Sequence, residues 1–270
     1  MNTSRNFLII LAAFGVSLFA GCSSKNSGAA QGYIEGEYVY VAAPLGGALA
    51  NLAVARGDTV KAGQLLFELE HGSEAAALEQ AEKNLVAAKT TLGLAEANFQ
   101  RRKELRESPS AIVSAEELER ARADRDASAA QAASQQAAFD KAKWSLDQKQ
   151  QFAPADAIVH DTLYRQGEFV AAGNPVISLL PPANLKVRFF VPQEKLAQLK
   201  AGGIVSVQCD GAAKPFSAKV NYIATQAEYT PPVIYSRETR ANLVFMIEAK
   251  FSPADAAELR PGQPVDVKFQ

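Results

Sequence analysis

Apolar positions along the chain follow two different periods. In the middle third, Leu78, Leu85, Leu92 and Phe99 recur every seven residues, with Ala81, Ala88 and Ala95 three positions later. That is an a/d seam of a helix packed on a partner. The stretch is built from Ala, Leu, Glu, Lys, Gln and Arg, all strong helix formers, and holds no proline. Ser108-Pro109-Ser110 interrupts it. Ser114 with Glu117 three residues on is a capping box that starts a second helix. Leu118, Ala132, Phe139 and Leu146 keep the seven-residue spacing there, with Arg125 interrupting. Residues 73–151 are therefore read as two antiparallel helices, each about 50 Å long at 1.5 Å per residue. The outer Ala and Gln positions of residues 128–138 fit either a solvated coiled-coil surface or lateral packing against other copies.

On both sides of this passage the period shortens, and the same pattern is written twice. Residues 43–70 and 153–180 align without a gap at an offset of about 110 residues, a self-similarity that points to a structural repeat. The shared positions are Ala43/Ala153, Pro44/Pro154, Gly57/Gly167, Val60/Val170, Ala62-Gly63/Ala172-Gly173 and Leu69/Leu179. Short alternating strands around glycine turns predict β-hairpins. Neither half carries enough core to stand alone. The expectation is one small two-sheet sandwich, residues 37–72 and 152–182, cut open by the helices.

Residues 183–270 alternate again, near residues 185–191, 205–208, 218–223 and 243–249, with a closing strand after Pro261-Gly262. A short helix is expected at residues 192–200, with Pro192 at its start. Several short strands with one helix predict a small β-barrel. The fold class expected is mixed α and β, elongated and multi-domain: a split β-sandwich, an inserted helical hairpin and a C-terminal β-barrel.

The N-terminus reads as targeting. Arg5 precedes an apolar run at residues 7–20 that is short for a membrane span. Leu18-Phe19-Ala20-Gly21-Cys22 resembles a bacterial lipobox, with Phe19 where the pattern has Leu. The expectation is a signal peptide at residues 1–21, lipidation at Cys22 and a small polar tether over residues 22–36.

Charge adds little: 28 basic against 29 acidic residues leave a net −1, which gives no footprint for nucleic acid. His71 and His160 have no further His or Cys at ligand spacing, so no metal site is expected. With Cys22 acylated, Cys209 has no partner for an intrachain disulfide and reads as a small buried apolar residue. Scattered carboxylates and an isolated His160, Ser206 and Asp210 form no catalytic constellation. No cofactor is expected.

The pattern around Gly57-Asp58-Thr59-Val60-Lys61-Ala62-Gly63 resembles biotinyl/lipoyl carrier domains. Those carry their modified lysine in the hairpin joining the halves, and here that joint is the helical insertion. Lys61 sits in a flanking turn and suits a solvated residue. Lipid anchor, split lipoyl-like module, inserted hairpin and terminal barrel, in this order, resemble the HlyD-type periplasmic adaptors, or membrane fusion proteins. The resemblance implies a non-enzymatic, membrane-anchored periplasmic subunit, assembled as a hexamer, that joins an inner-membrane transporter to a TolC-like outer-membrane duct. Residues 228–236 (EYTPPVIYS) and Leu243-Val244-Phe245 are similar to the adaptors of ABC-type exporters. The chain ends at Gln270, where adaptors of RND pumps continue into a further domain, so an ABC partner is expected over an RND pump. In several members an Arg, a Leu four residues on and a Ser seven beyond dock on the duct. Arg101 and Leu105 match, and Ser114 follows two residues late. Without the resemblance, Arg101 suits a solvated helix end, Leu105 the seam core and Ser114 an N-cap. Two other readings of the chain remain: a structural envelope lipoprotein that uses the rod as a spacer, and a biotinyl or lipoyl carrier.

Overall fold

The computed structural model describes residues 29–108, 112–212, 214–229 and 243–269. The expected signal peptide, Cys22, Pro109-Ser110 and most of the 228–236 segment lie outside the described residues. The described residues divide into two units, one within residues 36–184 and one formed by residues 29–35 together with those from 185 to 269.

The first unit contains the repeat and the hairpin. Its strands are β2 (Val39–Ala42), β3 (Gly47–Leu52), β4 (Thr59–Val60) and β5 (Leu65–Leu69) before the helices, and β6 (Gln150–Phe152), β7 (Ala157–Thr162), β8 (Phe169–Val170) and β9 (Pro175–Leu180) after them. They form two four-stranded sheets, ordered β2-β9-β7-β4 and β6-β5-β3-β8. Exchanging each strand for its repeat mate converts one order into the other, so the sandwich has an internal two-fold. The hydrogen bonds obey it. Gly57 N–H donates to Val159 O at 2.9 Å and Gly167 N–H to Leu49 O at 2.8 Å. Both glycines have positive φ, +93° and +91°, the left-handed region that a side chain disfavours. The core between the sheets draws on both halves, with Leu49, Val60, Leu66, Phe67 and Leu69 against Val159, Val170, Val176, Ile177 and Leu179. Each half thus covers the other's apolar face, which is why a split module can fold around an insertion.

The insertion is helix α1 (Gly72–Glu107) and helix α2 (Ala115–Asp147). Leu78, Ala81, Leu85, Ala88, Leu92, Ala95 and Phe99 are all shielded from solvent along α1, as the heptad pattern predicts, and Glu74 and Asn98 join them. The second helix stops at Asp147, short of the expected 151, because residues 150–152 pair with β5 as strand β6.

The second unit is a barrel. Strands β1 (Ala29–Gly36), β10 (Leu185–Pro192), β11 (Ile204–Cys209), β12 (Phe216–Ile223), β14 (Leu243–Phe251) and β15 (Pro264–Lys268) run in the order β10-β1-β15-β11-β12-β14, and β10 pairs with β14 to close the ring. Strand β13 (Glu228–Tyr229) adds to β14. A short helix α3 (Pro253–Ala256) precedes the last strand, and residues 193–198 form a 3₁₀ turn where a short helix was expected.

One expectation is overturned here. Residues 29–36, read as the end of a polar tether, are a barrel strand paired antiparallel with residues 264–268. Gly32 is its marker: a Cβ there would stand 2.4 Å from Arg188 O and 2.6 Å from Phe189 Cβ, so the strand can lie this close to β10 only as glycine. Barrel residues Val187, Phe189, Val205, Val207, Val220, Ile247, Ala249 and Val267 alternate inward. Cys209 is buried as expected, and that burial, with the neighbouring Asp210 charge, pushes its thiol pKa up. Beside the core lies a charged cluster. Glu248 accepts from Lys186 Nζ and Arg188 Nη2, each at 2.9 Å, and Arg188 also meets Glu35 at 2.8 Å.

Candidate functional site: the hairpin tip

On α1 the apolar seam ends two turns short of the tip, while α2 keeps Leu118 and the buried Ala121 beyond that point. Past Phe99 the next seam positions of α1 are Arg102 and Arg106, both exposed. On α2, Arg125 stands at a seam position between Ala121 and Ala132. The sequence shows it as an interruption, and the structure gives it a partner, the ring of Phe99, 4.5 Å from the guanidinium carbon. A guanidinium over an aromatic face is an attractive contact. Arg125 also reaches Asp126 Oδ1 through Nε at 3.0 Å.

The loop is secured from both helices. Arg106 Nη1 donates to Val113 O at 3.0 Å, and Ser108 Oγ donates to Leu105 O at 2.8 Å. Val113 is buried. Ser114 opens α2 with a complete capping box: Glu117 N–H donates to Ser114 Oγ at 3.1 Å, and Ser114 N–H donates to Glu117 Oε2 at 2.9 Å. Hydrogen bonds from the Ser114 backbone and hydroxyl hold the Glu117 carboxyl below its usual pKa.

Arg101 and Leu105 lie one turn apart on the same side of α1 and are both exposed. Leu105 is 38% exposed and off the seam, so the seam-core reading of this residue fails. Ser114, at the start of the other helix, is exposed but engaged in its cap. The structure therefore brings all three to the tip region, two as exposed side chains and one as a structural cap. A polar groove of about 390 Å³ runs between the helices just behind them, with Leu94, Asn98 and Arg102 on one wall and Glu117, Arg120 and Asp124 on the other. These groove residues carry no motif, because they converge only when two helices far apart in sequence pair.

Lys61, the carrier-like lysine, extends into solvent from the β4–β5 turn and pairs with Asp156 at 2.9 Å. It lies away from the point where the halves would join in a carrier, between β5 and β6, which the hairpin occupies.

No protein-family model matches the chain. It is 29% identical, over an alignment of 292 residues, to the UPF0194 membrane protein YbhG of Salmonella gallinarum, covering 88% of this chain and 87% of that one. The same protein of Salmonella typhimurium gives equal identity and coverage. Among solved structures, the membrane fusion protein Spr0693 from Streptococcus pneumoniae superposes with a TM-score of 0.65 at 20% identity, covering 90% of this chain and 98% of that one. The chain has the fold of a membrane fusion protein. A MacA-MexA chimera carrying the Pseudomonas aeruginosa MexA α-hairpin matches at TM-score 0.61 and 19% identity, over 90% of this chain and 80% of that one. MacA from Actinobacillus actinomycetemcomitans matches at 0.52 and 21%, over 90% and 78%. The resemblance to the membrane fusion proteins drawn from the split repeat therefore holds, and with it the fold class: a lipoyl-like sandwich, an inserted hairpin and a β-barrel.

Proposed function

We propose that this chain is a non-catalytic periplasmic adaptor that links an inner-membrane transporter, of ABC type, to a TolC-like outer-membrane duct. The observation that carries the reading is the position of the hairpin. It begins directly after β5 and ends directly before β6, at the joint where a carrier domain would present its modified lysine. The β-module is thereby a mount for a rod with an exposed tip. The membrane fusion protein fold supports the same reading, as does the membrane protein YbhG among its relatives.

In this proposal Cys22 carries the lipid that holds the base at the inner membrane. Copies of the chain assemble as a hexameric ring, and the substrate passes through its centre. Arg101 and Leu105 meet the duct directly. Ser114 contributes by fixing the start of α2 between them and the loop. Energy for transport comes from the transporter, so the adaptor needs only shape and contact.

The test is a tip variant, Arg101→Glu with Leu105→Ala, expressed at normal level in cells lacking the native protein. Export of the transporter's substrate falls to the level of the deletion strain, and cross-linking from the tip to the duct is lost. Unchanged export and unchanged cross-linking would overturn the proposal. A deletion strain with normal efflux and a weakened envelope would instead identify a structural spacer. An intact mass showing a biotinyl or lipoyl adduct would identify a carrier.

A further inference from the structure

One residue joins the hairpin to its mount. Lys149 follows the last turn of α2, and it is 4% exposed. Its amide donates to Leu146 O at 3.0 Å, closing the helix, and its carbonyl accepts from Leu69 N–H at 2.8 Å, alongside β5. Its side chain then crosses beneath the rod. Nζ donates to Gly46 O at 2.8 Å and pairs with Glu74 Oε1 at 3.0 Å. Gly46 lies in the turn before β3, and Glu74 lies in the first turn of α1. A single lysine thus bonds the end of one helix, the start of the other, and both neighbouring parts of the β-module.

The internal two-fold gives this lysine an apolar counterpart. The repeat mate of Lys149 is Val39, which pairs with Leu179 as Lys149 meets Leu69, and which packs on the core. A valine serves there. At the hairpin's base the same place holds a buried cation, which is costly unless paired. Its counter-charge, Glu74, comes from the inserted helix. Burial opposes ionisation of Glu74, but hydrogen bonds from Lys149 and Ser73 outweigh it and hold the carboxyl below its usual pKa. Gly47 leaves room for the ammonium, since a Cβ there would stand 3.2 Å from Nζ.

We infer that Lys149 is a positioning residue that fixes the direction in which the hairpin leaves the β-module. The inference deepens the adaptor reading and rests on it for its functional meaning. The hairpin is joined to the module by two single-chain connections, at residues 70–72 and 148–149, and two such connections define a hinge. Bonds from Lys149 to the module at Gly46 and to α1 at Glu74 cross that hinge. Charge-assisted hydrogen bonds are short and directional, so tilting the rod breaks them. The lever is long: on a helix of about 50 Å, a tilt of about 5° moves the far end by about 4 Å. That displacement is enough to carry Arg101 and Leu105 out of register with a receptor.

The test measures the joint on the purified full chain, with Cys22 and Cys209 replaced by Ser and Ala. Spin labels at Asn51 on the module and Thr90 on α1 report the distance distribution by pulsed electron resonance. The reference chain gives one narrow peak. Lys149→Met roughly doubles its width while helix content by circular dichroism is unchanged, and Glu74→Gln, which keeps an acceptor but loses the charge, gives a smaller broadening. Unchanged width in both variants overturns the inference, as does a lowered melting temperature with unchanged width, which would make the lysine merely stabilising. Should Lys149→Met fail to fold, Glu74→Gln decides alone, because its carboxylate lies at the solvent edge of the slot. Distances are read without transporter or duct. A negative result therefore leaves the adaptor reading standing, and failure of the tip variants tests that reading without touching this one.

Discussion

The guanidinium of Arg125 lies 4.5 Å from the centre of the Phe99 ring, inside the seam that joins the two helices. It marks where the α1 side of the seam turns from apolar to charged, while α2 still presents Ala121 and Leu118 beyond it. An aromatic face and the aliphatic stem of arginine can share a seam because the charge keeps access to solvent.

Truncating either partner should loosen the outer hairpin. Arg125→Ala is expected to cost about 1 kcal/mol and Phe99→Ala about 2 kcal/mol, the latter below full-core values because the ring is half-buried. The double variant should lose less than the sum, by about 0.5 kcal/mol. Urea titration followed by helical circular dichroism measures all three. Strict additivity would show that the contact carries no energy.

Ser114 caps α2, so Ser114→Ala should cost about 1 kcal/mol, while Ser114→Asp should retain most of the stability. Hydrogen exchange in the first turn of α2 is the direct readout. Glu117 adds a pH signature. Its folded pKa is depressed, so its contribution is present above the ordinary carboxylate range and is lost as pH falls through the folded value. Fraying of this turn should therefore begin on acidification, and Glu117→Gln should remove that pH dependence.

The internal two-fold makes a quantitative prediction. Gly57 and Gly167 have φ of +93° and +91°, and an added Cβ would meet nothing within 4 Å at either. The cost of alanine is then backbone strain alone, about 1–2 kcal/mol, and should be the same at both sites. Thermal melts of the two single variants test it, and clearly unequal losses would mean that the repeat is not energetically equivalent.

In the barrel, Glu248 faces two cations. Burial opposes its charge, but hydrogen bonds from Lys186 and Arg188 prevail and hold its pKa low. Its folded pKa lies below the unfolded one, so this stabilisation exists above the ordinary carboxylate range and disappears as pH falls through the folded value. Glu248→Gln leaves Lys186 and Arg188 short of an anion and should cost about 3 kcal/mol at neutral pH. A smaller loss toward low pH, where the carboxylate of the reference chain is itself protonated, is the accompanying result in denaturant titrations.

Periodicity alone located the seam from Leu78 to Phe99, because a helix repeats its environment every few residues and solvent shielding follows sequence spacing. The repeat around Gly57 and Gly167 was legible for a similar reason: positive φ demands a particular residue at a particular place. The strand at residues 29–36 was not legible. Its first half, Ala-Ala-Gln-Gly, continues the small polar stretch before it, and its partner at residues 264–268 lies at the other end of the chain. The groove at the tip was equally hidden, since Asn98 and Asp124 share it only after the helices pair.

The sequence by itself therefore determined the paired helices, the internal duplication and the place of the insertion, all of which depend on local spacing and local backbone preference. Only the tertiary structure decided what closes the barrel, what Arg125 does in an apolar seam and how the hairpin is fixed to its mount. Those depend on contacts such as Lys149 to Gly46, 103 positions apart. A lysine after a helix reads as a solvated end until the fold brings a carbonyl and a carboxylate around it and removes the water.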